Sequence, residues 1–146
     1  MWVRIPYFQK IVINCPYSYI SNHYNLLVSK KHQSKVIVFT KTTFNLVKTL
    51  YRSGAITSFI ILNSSCNQKK TLIKFTVLFY KSSPFFKNIK LISTRSKQLF
   101  ITKKALLLTQ KVFKSSLIII SSSKGLLTHH EATKLGVGGK IVYIIN

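Results

Sequence analysis

The spacing of apolar residues predicts a helix and then a strand near the start of the chain. Ile20, Tyr24 and Leu27 recur at helical spacing within residues 18–29. Residues 35–39 form a short run of mostly apolar side chains, a pattern typical of a strand. We therefore expect a short helix followed by a strand.

The clearest helical signal lies in the next segment. Four apolar residues share one helical face there: Phe44, Val47, Leu50 and Tyr51. Thr40 or Thr42 can cap the start of this helix, and Gly54 stands where a helix typically ends. This segment is the best helix that the sequence predicts.

Two strands are expected after this helix. Residues 55–62 and 71–79 are apolar runs, and residues 63–70 form a polar turn between them. Within the second run, Lys74 and Thr76 fall on the face opposite the apolar side chains. The first lobe is thus predicted to run helix, strand, helix, strand, strand.

Residues 81–84 are a candidate boundary between two lobes. Beyond them, residues 89–93 and 99–102 predict short strands, and residues 117–120 predict a strongly apolar one. Residues 103–114 are ambiguous, because their alanine and leucines favour a helix whereas their threonine and valine do not support it.

The last part of the chain predicts a short capped helix and a closing strand. Thr128 can begin the helix, and Glu131 stands three residues later, where a capping box needs an acidic side chain. The helix is expected to continue to Leu135 and to end at Gly136. Residues 140–145 form the last predicted strand.

Together these elements predict an α+β fold of two small lobes. Residues 18–80 form an N-terminal α/β lobe, and residues 81–146 form a C-terminal lobe of mostly antiparallel strands with a short helix. Residues 1–17 are an unassigned N-terminal extension. With 146 residues and 47% hydrophobic side chains, the chain is long enough to bury a core.

The charge balance narrows the possible functions. The sequence has 23 lysines and arginines and one acidic residue, Glu131, so its net charge is +22. Glycosidases and aspartic proteases need two carboxylates, and kinases and polymerases need several to hold magnesium, so these enzyme classes are excluded. Twenty-two uncompensated cations need an anionic partner. Nucleic acid is the first candidate, and an anionic membrane surface is the second.

Metal sites and cofactors are not expected. Cys15 and Cys66 are far apart in sequence and form no Cys-x-x-Cys motif, so two free, buried thiols are favoured over a zinc site or a disulfide. His129, His130 and Glu131 are adjacent, and neighbouring side chains on a helix point about 100° apart, which makes joint chelation difficult. The sequence also lacks about 18 consecutive apolar residues, so no membrane-spanning helix is expected.

The C-terminal 30 residues carry two motifs at fixed spacing. The first is the run Ser121, Ser122, Ser123, Lys124, Gly125, which directly follows the apolar strand. The second group follows in register, without a gap: Thr128, Ala132, Gly136, Gly138, Gly139 and Tyr143. This tail resembles the small-subunit ribosomal protein eight family. In that family a strand is followed by Ser-Thr-Ser-Lys-Gly, Thr-Asp-Arg-x-Ala, a short helix, Gly-x-Gly-Gly and a closing strand with tyrosine.

The first lobe resembles the same family less closely. Leu50, Gly54, Ile56 and Phe59 follow the family's Leu-x-x-x-Gly-Phe-Ile-x-x-Phe segment. Lys140 stands where the family has glutamate after its paired glycines. Residues 1–17 resemble no part of the family that we can place.

The resemblance implies a structural constituent of the small ribosomal subunit that binds small-subunit rRNA and supports its folding and assembly. Its other expected partners are neighbouring small-subunit proteins, with no small-molecule substrate and no enzymatic activity. The implied RNA-binding residues lie in residues 81–146: Ser121, Ser122, Ser123, Lys124, Gly125, Thr128, Gly138, Gly139 and Lys140. Short hydroxyl side chains and bare glycine amides at a loop suit close approach to RNA. The alternative is a basic peripheral protein on an anionic membrane surface.

The composition favours an organellar ribosome. Lysines outnumber arginines 20 to 3, and Ile, Asn, Phe and Tyr are abundant, which suggests an AT-rich coding genome. Near-complete loss of acidic residues is unusual for a bacterial version. We therefore expect a mitochondrial ribosome, with a plastid ribosome as the alternative.

Overall fold

The computed structural model describes residues 15–63, 71–112 and 115–146. Residues 1–14 of the N-terminal extension, Cys66 and the predicted turn from residue 64 to 70 lie outside the described residues. All strand pairs within the described ranges are antiparallel. In chain order, the elements are α1 (Pro16–Lys30), β1 (Ser34–Val38), α2 (Lys41–Arg52), β2 (Ile56–Asn63), β3 (Thr71–Val77), β4 (Phe79–Tyr80), β5 (Ser83–Pro84), β6 (Ile89–Leu91), β7 (Phe100–Ile101), α3 (Lys103–Val112), β8 (Leu117–Ser122), β9 (Gly125–Thr128), α4 (His129–Leu135) and β10 (Gly139–Ile145).

The predicted α+β fold is confirmed, and the capping signals of α2 act as expected. Thr40 is the N-cap, and its hydroxyl accepts a hydrogen bond from the Thr43 amide at 3.1 Å. The Thr43 hydroxyl in turn accepts from the Thr40 amide at 2.8 Å, which completes a capping box. The helix ends at Arg52, and Gly54 then takes a φ of +79°, a conformation that glycine adopts readily.

The first sheet has the order β1-β3-β2, with α1 and α2 packed on one face. Ile37, Ile73 and Phe75 are buried against the helices. Lys74 is exposed on the other face, as the alternation predicts, and Thr76 on that face is half-buried.

Several elements differ from the sequence predictions. The expected strand at 71–79 stops at Val77, and Phe79–Tyr80 instead pairs with Ser83–Pro84 in a small hairpin. Residues 103–112 of the ambiguous segment are the helix α3. The strand β9 was not predicted, because its four residues pair only with β8 and carry no alternation of their own.

The second sheet has the order β6-β10-β8-β9, with β7 also pairing to the start of β10, and it separates two apolar cores. Leu117 and Ile119 on β8 face α1 and α2, whereas Ile118 and Ile120 face α3 and α4. Because the side chains of a strand alternate between its faces, one apolar run serves both cores. A register shift between Ile141 and Tyr143 turns successive residues of β10 toward the first core.

Residues 18–80 and 81–146 share the first core. Leu46 and Phe75 from the first range lie in one buried cluster with Ile119 and Tyr143 from the second. The Tyr143 hydroxyl donates a hydrogen bond to the Tyr17 carbonyl at the start of α1. A division of the chain into two lobes near residue 81 stays a prediction.

Two side chains complete hydrogen-bond ladders that the strands leave open. The Asn25 side chain accepts from the Ile89 amide at 2.9 Å and donates to the Ile89 carbonyl at 3.0 Å. The buried His129 Nδ1 accepts from the Ile118 amide at 3.2 Å, where β9 gives way to α4. These contacts satisfy backbone groups at the edges of the second sheet.

The free thiol of Cys15 is only half-buried, so the expectation of a buried thiol is wrong at this position. Cys15 lies directly before α1, at its N-cap position. The other thiol, Cys66, is outside the described residues.

Replacing Asn25 by alanine is expected to lower the free energy of unfolding by about 1–3 kcal/mol, because both polar groups of Ile89 lose their partner. Asn22→Ala is the matched control, since Asn22 is exposed one turn earlier on α1. That control should change stability by less than about 0.5 kcal/mol. Urea unfolding of the three proteins measures both values, and equal effects would contradict the bridging role of Asn25.

His129 is expected to make the fold less stable in acid. Burial lowers the pKa of His129, and the neighbouring His130 lowers that pKa further. The unfolded chain therefore binds the proton more readily, so the stability contribution is present above about pH 6.5 and is lost as the pH falls from there through the lowered pKa of the folded state. Burial also lowers the pKa of His23, which adds a loss of the same sign.

The test is urea unfolding at about pH 7.5 and 5.5. His129→Asn keeps an acceptor for the Ile118 amide without a titrating ring, so its free energy of unfolding should fall less between the two pH values. His32→Asn, at an exposed position after α1, is the matched control for the substitution itself. A His129→Asn variant as acid-sensitive as the parent would show that this histidine does not cause the loss.

Candidate nucleic-acid interface

The turn between β8 and β9 presents the first predicted motif at the surface. Ser122 pairs with Gly125, which leaves Ser123 and Lys124 as a two-residue turn. The Ser122 hydroxyl accepts from the Lys124 amide at 3.2 Å and donates to the Gly125 carbonyl at 3.1 Å. Gly125 has a φ of +105°, a conformation that side chains disfavour. The middle serine therefore holds the shape of the turn.

The residues of the turn differ in exposure. Ser123, Lys124 and Gly125 are exposed, whereas Ser121 and Ser122 are half-buried at the end of β8. Because β8 is buried on both faces, the turn is fixed to a rigid strand. A ligand would meet one hydroxyl, one ammonium group and a bare backbone segment in a defined arrangement.

The first residues of β10 lie beside this turn. Lys140 pairs with Ser121 across the β10–β8 ladder, so the structure brings these two predicted residues together. Gly139 allows the close approach, since a Cβ atom there would lie 2.4 Å from the Ser121 carbonyl oxygen. A Cβ on Gly138 would lie 2.4 Å from the Ile101 carbonyl oxygen. Both glycines therefore have a packing role that the sequence did not reveal.

Thr128 lies away from the turn, at the other end of β9. It is buried, and its hydroxyl accepts a hydrogen bond from the Glu131 amide at 3.3 Å. Its own amide donates to Glu131 Oε2 at 2.8 Å, which completes the predicted capping box of α4. The structure thus places Thr128 in the helix cap and does not bring it to the surface of the turn.

The single carboxylate of the chain is occupied by internal contacts. Besides the capping bond, Glu131 Oε1 lies 3.7 Å from Arg52 Nη1. Both side chains are partly exposed, so the ion pair itself contributes about 0–1 kcal/mol. The main effect of this ion pair is to orient the Glu131 carboxylate toward α2.

Sequence reasoning missed the polar face of α2, which runs beside β9. Asn45, Lys48 and Arg52 are exposed there, and Arg52 reaches β9 itself. Their spacing of three and four residues was the available signal, since such positions share one helical face. Only the tertiary structure shows that this face adjoins the β8–β9 turn.

A metal site and a membrane span are the two alternatives on which the described side chains and helices bear. No group of three or more His, Cys, Asp or Glu side chains in the described ranges could hold a metal ion. Within those same ranges, no helix is both long enough and apolar enough to cross a membrane. His129 and His130 do lie together, with ring centroids 3.9 Å apart, but the Nδ1 of His129 is engaged by the Ile118 amide.

Comparison with known proteins gives one consistent family. The sequence model of the family described as Ribosomal protein S8 matches residues 19–145. This range includes both predicted lobes and every residue of the β8–β9 turn. The family consists of ribosomal structural proteins, not enzymes.

Individual relatives match most of the chain. The small ribosomal subunit protein uS8m of Acanthamoeba castellanii is 31% identical over 118 residues, which is 80% of this chain and 87% of the relative. The uS8c protein of Bigelowiella natans is 26% identical over 121 residues, 79% of this chain and 86% of its own length. The uS8 protein of Nitratiruptor sp. is 31% identical over 110 residues, 73% and 78% of the two chains.

The forms with the suffixes m and c are mitochondrial and plastid versions, so these relatives fit the expected mitochondrial location, with a plastid as the alternative. The chain belongs to the ribosomal protein S8 family.

Proposed function

We propose that this protein binds small-subunit ribosomal RNA through the β8–β9 turn and the start of β10, and that it supports folding of that RNA during assembly. Membership of the family gives it a structural role in the ribosome. The observation that carries the RNA proposal is the exposed turn with Lys124, which is braced on a buried strand beside Lys140. The chain around it has a net charge of +22.

The shape of the turn suits an RNA surface. The minor groove of an RNA helix is wide and shallow and displays 2′-hydroxyls, so a small, rigid protein loop can lie against it. Ser123 and Gly125 have no bulky side chain to obstruct this approach, and Lys124 adds a phosphate contact. Because the Ser122 hydroxyl already fixes the conformation of the turn in the free protein, RNA binding loses little conformational entropy there.

The nine residues that the sequence singled out take different roles in this proposal. The residues that contact RNA are Ser121, Ser123, Lys124, Gly125 and Lys140. The residues that position them are Ser122, Gly138 and Gly139. Thr128 acts at a greater distance, because it fixes the start of α4 and thereby the far end of β9.

The proposed setting is the small subunit of a mitochondrial ribosome, with a plastid ribosome as the alternative. Neighbouring small-subunit proteins are the other proposed partners. An anionic membrane is a competing partner for any strongly basic protein. RNA is favoured because the apolar face of α2, with Leu46, Val47 and Leu50, is buried in the first core and is not available to insert into a membrane.

Binding to a small-subunit rRNA fragment should depend steeply on salt. If about 5–8 cations contact phosphates, the logarithm of the affinity should fall against the logarithm of the salt concentration with a slope of about −4 to −7. A filter-binding titration from about 50 to 300 mM salt measures this slope. Binding to anionic vesicles, measured under the same conditions, distinguishes the two partners. Tighter binding to the vesicles than to the RNA would contradict the proposal.

Changing Ser121 and Ser123 together to alanine should weaken RNA binding by about 1–3 kcal/mol, because RNA groups lose hydrogen-bond partners. Lys124→Gln should cost less and reduce the salt slope by about one. Ser29 and Ser58 are exposed in the first lobe, so their double alanine variant is the matched control.

Thermal unfolding first establishes that each variant is folded. If the Ser121 and Ser123 variant is folded and binds RNA as tightly as the Ser29 and Ser58 control, the β8–β9 segment is only a turn. Loss of binding in both double variants would instead indicate a general effect of removing hydroxyl groups.

A further inference from the structure

A polar groove lies between α2 and the β8–β9 hairpin. Asn45, Lys48 and Arg52 form the wall on the helix, and Lys124 and Gly125 contribute to the opposite wall. The groove has a volume of about 240 Å³. One wall belongs to residues 18–80 and the other to residues 81–146, so a ligand in the groove would touch both parts of the chain.

Arg52 fixes the distance between the two walls. Its Nη2 donates a hydrogen bond to the Leu126 carbonyl at 3.3 Å, and its Nη1 lies 3.7 Å from Glu131 Oε1. A guanidinium group carries five N–H donors, so these contacts leave it donors for a further acceptor. Arg52 therefore bridges the two walls and still has donors for a ligand.

The lining of the groove favours an anionic ligand. Lys48 and Lys124 are exposed on opposite walls, and no carboxylate is among the side chains that line it. Among the described residues, none that lines the groove is aromatic, so this lining offers no surface on which a base could stack. Lysines facing each other across a polar channel instead suit the phosphates of a nucleic-acid backbone.

We propose that this groove binds the sugar-phosphate backbone of the RNA strand that contacts the β8–β9 turn. Lys48 and Lys124 contact phosphates from the two walls, and Asn45 offers a further hydrogen-bond donor. This inference rests on the proposed function and extends the RNA surface from the turn onto α2. RNA bound in this way contacts both predicted lobes at once and opposes their separation.

The first test compares single lysine variants in RNA binding. Lys48→Gln should weaken binding to the small-subunit rRNA fragment about 3- to 10-fold near 100 mM salt and reduce the salt slope by about one. Lys104→Gln is the matched control, because Lys104 is an exposed helical lysine on α3. That helix packs on the opposite face of the second sheet, where Ala105 and Leu106 meet Ile118. Both variants change only exposed side chains, and thermal unfolding checks that they fold.

The second test measures which lysines RNA covers in the complex. Lysines of the free protein and of the RNA complex are acetylated, and the modified positions are measured by mass spectrometry. Lys48 and Lys124 should be protected together when RNA is bound, whereas Lys104 should stay reactive. A Lys48→Gln and Lys124→Gln double variant should be weakened by a factor that differs from the product of the single effects, since both residues face one groove.

The outcomes separate this inference from the proposed function. If the parent binds RNA normally but Lys48→Gln matches Lys104→Gln and Lys48 stays reactive in the complex, the groove proposal is wrong and RNA binding at the turn stands. If the parent does not bind the RNA fragment, both proposals fail. Specific weakening of Lys48→Gln together with protection of Lys48 supports the groove.

Discussion

Burial of strand β8 on both faces is the contact on which the rest of the structure depends. Ile119 packs with α1 and α2, while Ile118 and Ile120 pack with α3 and α4. Each of these isoleucines is almost fully buried, and burying one stabilises the fold by about 1.5–3 kcal/mol. The strand therefore joins two cores that would otherwise be separate, and it carries the β8–β9 turn at its end. The rigidity of the proposed RNA site is a consequence of this packing.

The charge of the chain sets a second constraint. Cations that cannot be neutralised internally repel one another and oppose the compact state. The one carboxylate, Glu131, serves the α4 cap and lies next to Arg52, which also reaches the edge of β9. Glu131 and Arg52 thus stabilise the side of the molecule where α2 meets the second sheet. The remaining repulsion would be offset by a polyanionic partner, which stabilises the folded state by mass action.

Polar side chains connect the second sheet with the helices α1 and α4. Asn25 engages the backbone of Ile89, His129 accepts from Ile118, and Tyr143 donates to Tyr17. Asn25 and His129 satisfy backbone groups that would otherwise lose hydrogen bonds when the parts of the chain come together. The contacts of Asn25 and Tyr143 connect residues that are more than 60 positions apart in the chain. Such bonds make the association of α1 with the second sheet specific, which apolar packing alone would not do.

Elements with local signals could be predicted from the amino-acid sequence. Thr40 or Thr42 marked the start of α2 and Gly54 its end, Thr128 and Glu131 marked the cap of α4, and the apolar run at 117–120 indicated β8. These signals act within a few residues of the chain, so they can be interpreted without knowing what packs against them. The net charge and the order of the tail motifs were likewise present in the sequence.

Tertiary structure alone decided which of these residues reach the surface together. Thr128 belongs to the tail motif, yet it is buried in a helix cap, while Lys48 from a distant helix stands beside Lys124. Gly138 and Gly139 are glycines because the carbonyls of Ile101 and Ser121 come too close for a Cβ atom. The strand β9 exists because β8 offers it a pairing edge. The physical reason is common to the two lysines and the two glycines: strand register and helix docking fix these positions, and both depend on contacts between residues far apart in the chain.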